Sequence, residues 1–200
     1  METDTEAHKR KTQRHKAGFE KKKAAAKKEK GLLIVYTGTG KGKSTAAFGM
    51  GLRVLGHGMK LGVVQFIKGA LPSAERNVLG SNPQCDFHVV GAGYTWDTQD
   101  RVADMETTAK GWVEALRMIK DPSYDMVILD ELNIVLKYQY LELAEVRDAF
   151  KNRRDMLHIV VTGRHALPEL IAQADLVSDI RPVKHPYQEQ GIKAQKGVEF

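Results

Sequence analysis

The sequence is poorest in cysteine: Cys85 is the only one. A lone thiol excludes an internal disulfide and a multi-thiolate metal site, and it fits a reducing compartment such as the cytoplasm. Long apolar runs are also missing. The longest fall far short of the ~18 residues that a membrane span needs, and the charged N-terminus has no apolar signal core. Six prolines and eighteen glycines in 200 residues exclude collagen-like and low-complexity chains. The seven histidines lack close metal-ligand spacing, so a structural zinc is not expected.

The formal charge of +6 is unevenly placed. Residues 1–30 carry eleven Lys/Arg against five Asp/Glu, and the remaining 170 carry twenty of each sign. The basicity belongs to an arm, while residues 31–200 form a neutral body. The arm has good helix formers but little apolar material to pin it. Three readings stay open for it: a solvated helix, a flap closing over an anionic ligand, or a nucleic-acid arm. The body shows no basic–aromatic cluster of nucleic-acid type.

Within the body, continuous apolar runs alternate with helical patterns. Strands are expected at 32–36, 61–67, 87–90, 126–129, 158–162 and 177–180, and helices at 43–55, 100–120, 141–150 and 167–174. Pro72, Gly80, Asn82 and Pro83 mark a breaker region. The segment from about 181, with two prolines, reads as an ordered extension rather than a helix. Uninterrupted apolar strands separated by helices predict an α/β fold. Its mostly parallel six-stranded sheet would carry helices on both faces and the site at the strands' carboxyl ends.

The most specific signal is TGTGKGKST, residues 37–45, between a strand and a helix. Gly38, Gly40 and Gly42 let backbone N–H groups curl toward an anion, with Thr39 and Thr45 in the same turn. The helix N-terminus and Lys43 add positive charge, and the Ser44 hydroxyl is placed for Mg²⁺. The usual phosphate loop has glycine where Thr37 stands. This loop is therefore short by one, and it holds a second cation, Lys41. The partner motif runs YDMVILDEL, ending in Asp130 and Glu131 at a strand terminus, where carboxylates serve Mg²⁺. These two motifs predict a nucleoside triphosphate with Mg²⁺, and by themselves they allow an ATPase or kinase acting at the γ-phosphate.

Two further segments are candidates. GAGYTWDTQ, residues 91–99, sets Tyr94 and Trp96 two apart beyond a strand end, suited to stacking on a flat ligand or to anchoring their own loop. Thr162-Gly163-Arg164-His165 follows the fifth strand, and Arg164 can fork onto phosphate oxygens or join a surface ion pair. Arg181, Lys184 and His185 pose the same choice.

Taken in order, TGTGKGKSTAAFG, VVQFIKG, GAGYTWDTQD, VILDELN, VVTGRH and SDIRPVKHPYQEQGIKAQKGVEF resemble the corrinoid adenosyltransferases of the CobO/CobA/BtuR type, nearly end to end. The resemblance implies a RecA-like P-loop NTPase fold, a cytoplasmic homodimer, and transfer of the 5′-deoxyadenosyl group of ATP to the Co(I) of a reduced corrinoid, with release of triphosphate. It also implies a flavin-type or other low-potential reductant and no nucleic-acid partner. The acceptor can be cobyrinic acid a,c-diamide, cobinamide or cobalamin.

By the same resemblance, Gly38 to Thr45 hold the phosphates of an ATP lying reversed in its loop, Lys41 and Lys43 neutralise them, and Ser44, Glu131 and Asp130 serve Mg²⁺. Tyr94 and Trp96 take the place of the aromatics that displace the corrinoid's lower axial ligand. Arg53 and Arg164 are candidate nucleotide contacts. The remaining alternative is a nucleotide-regulated nucleic-acid-binding protein.

Overall fold

The computed structural model describes residues 4–67, 74–90 and 100–199. The chain divides into two units, residues 1–30 and 31–200. The described residues of the first contain one helix, α1 (Asp4–Ala25), with Lys22 and Lys23 in its last turn, Phe19 exposed and no apolar face.

The second unit holds six strands: β1 (Leu33–Thr37), β2 (Leu61–Gln65), β3 (Cys85–Val89), β4 (Met126–Asp130), β5 (His158–Thr162) and β6 (Leu176–Asp179). Between them lie α2 (Lys43–Gly56), α3 (Ala74–Gly80), α4 (Arg101–Lys120), α5 (Leu132–Lys137), α6 (Leu143–Lys151) and α7 (Pro168–Gln173), and α8 (Pro186–Gln190) follows β6. The strands form one sheet in the order β3-β2-β4-β5-β1-β6, with every pairing parallel.

Continuous apolar strands are explained by burial on both faces. On one side Leu33, Val35, Val127, Leu129, Ile159 and Val161 pack with Trp112, Met118 and Phe150 from α4 and α6. On the other, Ile34, Met126, Ile128 and Val160 pack with Ala47, Phe48 and Val54 of α2 and Leu79 of α3. Alternate residues of β1, β4 and β5 thus serve two separate cores, which excludes polar residues from either set.

Three elements depart from the sequence expectation. The breaker region contains α3, held to the core by buried Leu79. A short helix, α5, follows β4 directly, where the apolar run Leu132–Leu136 gave no helical period. The tail, expected to be non-helical, contains α8, because Pro186 stands at the first helical position, where a missing N–H costs nothing. The N–H of His185 is capped by the Glu189 side chain at 2.7 Å.

The start of β1 is held by residues from the amino end of β5. The Leu32 N–H donates to His158 Nδ1 at 3.1 Å, and Arg153 donates to Gly31 O at 2.9 Å and Phe150 O at 2.6 Å. Nδ1 accepts only when that nitrogen is unprotonated. Burial, and secondarily Arg153, hold His158 below its ordinary 6.5, against a smaller opposing pull from Asp125.

The unfolded chain therefore binds this proton at a higher pH than the folded one. Stability from this group is complete above 6.5, declines as pH falls through it, and is fully lost below the folded value. We expect His158→Asn, which keeps an acceptor at the same place, to flatten the fall in urea midpoint between pH 7.5 and 5.5 relative to wild type. Equal slopes would refute this.

Candidate active site

Four neighbouring strands, β4, β5, β1 and β6, deliver the site at their carboxyl ends. Beyond β1, Gly38 and Gly42 take left-handed φ values of 99° and 102°. The Gly40 N–H donates to Ile180 O at 2.7 Å, and the Ile180 N–H donates to Thr37 O at 2.9 Å. The segment leaving β6 therefore forms one wall of the loop. A Cβ on Gly38 would lie 2.3 Å from Ile180 O and 2.4 Å from Asp179 Oδ1. Glycine is required there by space as well as by φ.

No side chain caps the start of α2. Its leading N–H groups and the helix dipole are thus offered to an anion. Lys43 is only 7% exposed, and its ammonium donates to Gly40 O at 2.7 Å. Burial pushes its pKa down, and nearby Arg164 and Lys41 add to this, while Glu131 and Asp130 oppose it. Ser44, one residue on, is half-buried, and Thr39 and Thr45 are exposed. Lys41 pairs with Glu199, so the tail returns to the loop it left at Ile180.

From β4 come the carboxylates. Asp130 is 1% exposed and has both oxygens engaged: Thr162 Oγ1 donates to Oδ1 at 2.7 Å and Gln65 Nε2 to Oδ2 at 2.9 Å. Glu131 has a left-handed φ of 62°, costly for a residue with a side chain. The same Thr162 hydroxyl holds it by accepting from its N–H at 3.0 Å. The Glu131 pKa is raised to about 7, chiefly by burial and then by Asp130, with Lys43 and Arg164 pulling it down. A carboxylate held against ionising by burial and by an adjoining acid is a fitting receptor for a cation.

Beyond β5, Gly163 has φ 127° and lies against this pair: a Cβ there would be 2.9 Å from Asn133 Cβ and 3.1 Å from Glu131 Oε2. Arg164 follows, exposed, and its charge acts on both Lys43 and Glu131. The Ala166 N–H donates to Thr37 Oγ1 at 3.1 Å, tying this loop to the end of β1.

The structure thus brings together Gly38, Gly40, Lys43, Ser44, Asp130, Glu131 and Arg164. It does not bring in Arg53, an exposed residue in the last turn of α2. Ten residues beyond Lys43, it stands about 15 Å farther along the helix. Tyr94 and Trp96 lie outside the described residues. Asn133 and Asp179 also stand at this candidate site without being picked out by the sequence, and Thr162 and Gly163 enter it there only as part of the segment that carries Arg164. A polar residue at the end of an apolar strand, as in HIVVT, or inside an apolar run, as in LNIVL, was the available signal.

Comparison with known proteins finds relatives along nearly the whole chain. Residues 29–200 match the family model of ATP:corrinoid adenosyltransferase BtuR/CobO/CobP. A corrinoid adenosyltransferase of Pseudomonas aeruginosa is 49% identical, covering 96% of this chain and 95% of its own length. One from Sinorhizobium sp is 48% identical over 100% and 94%, and one from Escherichia coli 45% over 98% of each. Among solved structures, the flagellar accessory protein FlaH of Methanocaldococcus jannaschii superposes with a TM-score of 0.50, at 17% identity over 76% of this chain and 71% of that one. That likeness concerns the fold alone. Among the described residues no helix is long and apolar enough to cross a membrane.

Proposed function

From the premise that this chain belongs to the ATP:corrinoid adenosyltransferase family, and so transfers the adenosyl group of ATP to a cobalt corrinoid, we propose how its residues divide that work. The uncapped start of α2, the glycines of residues 38–42 and Lys43 hold the triphosphate, with Thr39, Lys41 and Thr45 at its rim and Arg164 facing it from β5. This reading assigns the body to the RecA-like P-loop class, supported by the strand–loop–helix order and the all-parallel sheet.

Mg²⁺ is usually held by one or two carboxylates together with phosphate oxygens. The residues present fit that habit: Ser44 and Glu131 would hold it, and Asp130, with both oxygens occupied, would support them. Bound there, Mg²⁺ would neutralise charge on the triphosphate.

The substrate brings its own nucleophile. Co(I) has a filled axial orbital. It forms the Co–C5′ bond as the C5′–O bond breaks, and that electron pair leaves on triphosphate. This step needs no side-chain nucleophile and no general base. The protein's contribution is to hold C5′ in line with cobalt and to meet the growing charge on the leaving oxygen with Lys43, Arg164 and backbone N–H groups. Tyr94 and Trp96 are assigned, through family resemblance, to the corrinoid's lower face. A low-potential reductant, flavin-type in class, supplies the electron that forms Co(I). The working unit is a cytoplasmic homodimer that requires no nucleic acid.

The observation carrying this reading is the convergence of buried Lys43, half-buried Glu131 and exposed Arg164 on one uncapped helix start. Anaerobic incubation with ATP, Mg²⁺ and chemically reduced cobyrinic acid a,c-diamide, cobinamide or cobalamin tests it. The expected products are triphosphate and an adenosylated corrinoid. ADP and phosphate with no cobalt–carbon bond would instead place the chemistry at the γ-phosphate.

A further inference from the structure

Asn133 has no part in the reading above, yet it is fully buried where three strand ends meet. Its Nδ2 donates to Gly163 O at 2.9 Å and, more weakly, to Tyr36 O at 3.4 Å. These two carbonyls fix the amide's orientation, since a reversed amide would set oxygen against oxygen. The carbonyl end is thereby turned away from both. Oδ1 is itself buried and is one of few buried side-chain atoms without a partner among the described residues. Such an atom is costly to keep unless a donor arrives with a ligand.

The surroundings indicate which ligand. Asn133 is two residues beyond Glu131, and the Asn133 Cβ and the Glu131 carboxylate both crowd the space that a Cβ on Gly163 would fill. Tyr36 is the residue before the one that opens the phosphate loop, and Gly163 precedes Arg164. One side chain therefore spans the strand that feeds the triphosphate loop and the turn that carries the arginine, while its backbone continues from the acid. We propose that Asn133 is a positioning residue for bound ATP–Mg²⁺: its amide nitrogen, anchored on Gly163 O and Tyr36 O, holds Oδ1 ready to accept a hydrogen bond from a water that the cation would bring. This rests on the nucleotide reading above.

A purely structural clamp would affect ATP binding with or without the metal. The proposed role weakens the metal-dependent part. The test is calorimetric binding of ATP, without corrinoid, in Mg²⁺ and again in EDTA, for wild type and Asn133→Leu. Urea midpoints confirm that the variant is folded. We expect Asn133→Leu to weaken ATP–Mg²⁺ binding at least tenfold and metal-free ATP binding less than threefold.

Asn133→Thr, which keeps a hydroxyl donor for Gly163 but has no separate carbonyl, should show the same metal-selective loss. It replaces the leucine variant if that one does not fold. Paramagnetic titration with Mn²⁺ gives an independent readout, with more free Mn²⁺ expected at equal ATP in either variant. Equal losses in Mg²⁺ and EDTA, or no loss in either, would overturn the proposal. Wild-type protein that fails to bind ATP–Mg²⁺ at all would overturn the nucleotide reading itself, and this inference with it.

Discussion

Lys43→Met should lower adenosyl transfer by about 10²–10³-fold while leaving the unliganded protein at least as resistant to urea. The loss follows from the lysine's place: a cation 7% exposed at the uncapped start of α2, where the helix dipole meets an anion. Removing one preorganised donor to a developing oxyanion costs roughly that much in turnover. The stability half has the opposite sign. Burial pushes the Lys43 pKa down, so the folded protein holds its charge less readily than the unfolded chain.

A neutral side chain of similar length escapes that penalty and forfeits only the bond to Gly40 O. Turnover with pre-formed Co(I) corrinoid, measured beside urea midpoints, checks both halves. A variant that loses activity and stability together would show that the lysine is structural.

Gly38→Ala should be far more damaging than Gly42→Ala, although their φ values are nearly the same. Each alanine would bear the left-handed cost of about 1–2 kcal/mol. At Gly42 nothing lies within 4 Å of the added methyl. At Gly38 it would overlap the Ile180 carbonyl and the Asp179 carboxylate. Either β6 withdraws from β1 at its carboxyl end or the loop is pushed out of shape. We expect Gly38→Ala to cost about 3 kcal/mol or more, in the tail of single-substitution effects. Its remaining folded fraction should bind ATP poorly. Gly42→Ala should stay near 1–2 kcal/mol. Urea denaturation with unchanged m-values and ATP titration of both variants provide the measurement. Equal costs at the two positions would mean that the β6 segment is not a wall of the loop.

The parts of this protein that can be read from the chain are those in which neighbours in sequence are also neighbours in space. Thr37 to Ser44 is one such stretch, and all six strands lie within about two residues of the apolar runs that predict them. Asp130 and Glu131 were legible because an apolar run ends abruptly on two acids. The rest depends on distant partners. Nothing in ILDELN shows that Glu131 adopts a left-handed φ, because that geometry is held by a hydroxyl 31 residues away. Arg53, a candidate nucleotide contact through family resemblance, stands in the last turn of α2, about 15 Å along the helix from Lys43. The helix α5 was hidden because Leu132, Ile134, Val135 and Leu136 continue the apolar texture of β4 without a polar face. Prolines misled at α8, where Pro186 begins a helix rather than ending one.

The wall that β6 gives the phosphate loop also sets the order in which this protein can mature. β1 lies between β5 and β6, the last two strands to be synthesised, and Gly40 finds its carbonyl partner only at Ile180. At ribosomal speeds the intervening stretch takes roughly ten to thirty seconds to emerge. Throughout that interval Gly40 lacks its carbonyl partner, and the turn meets a nucleotide without one of its walls.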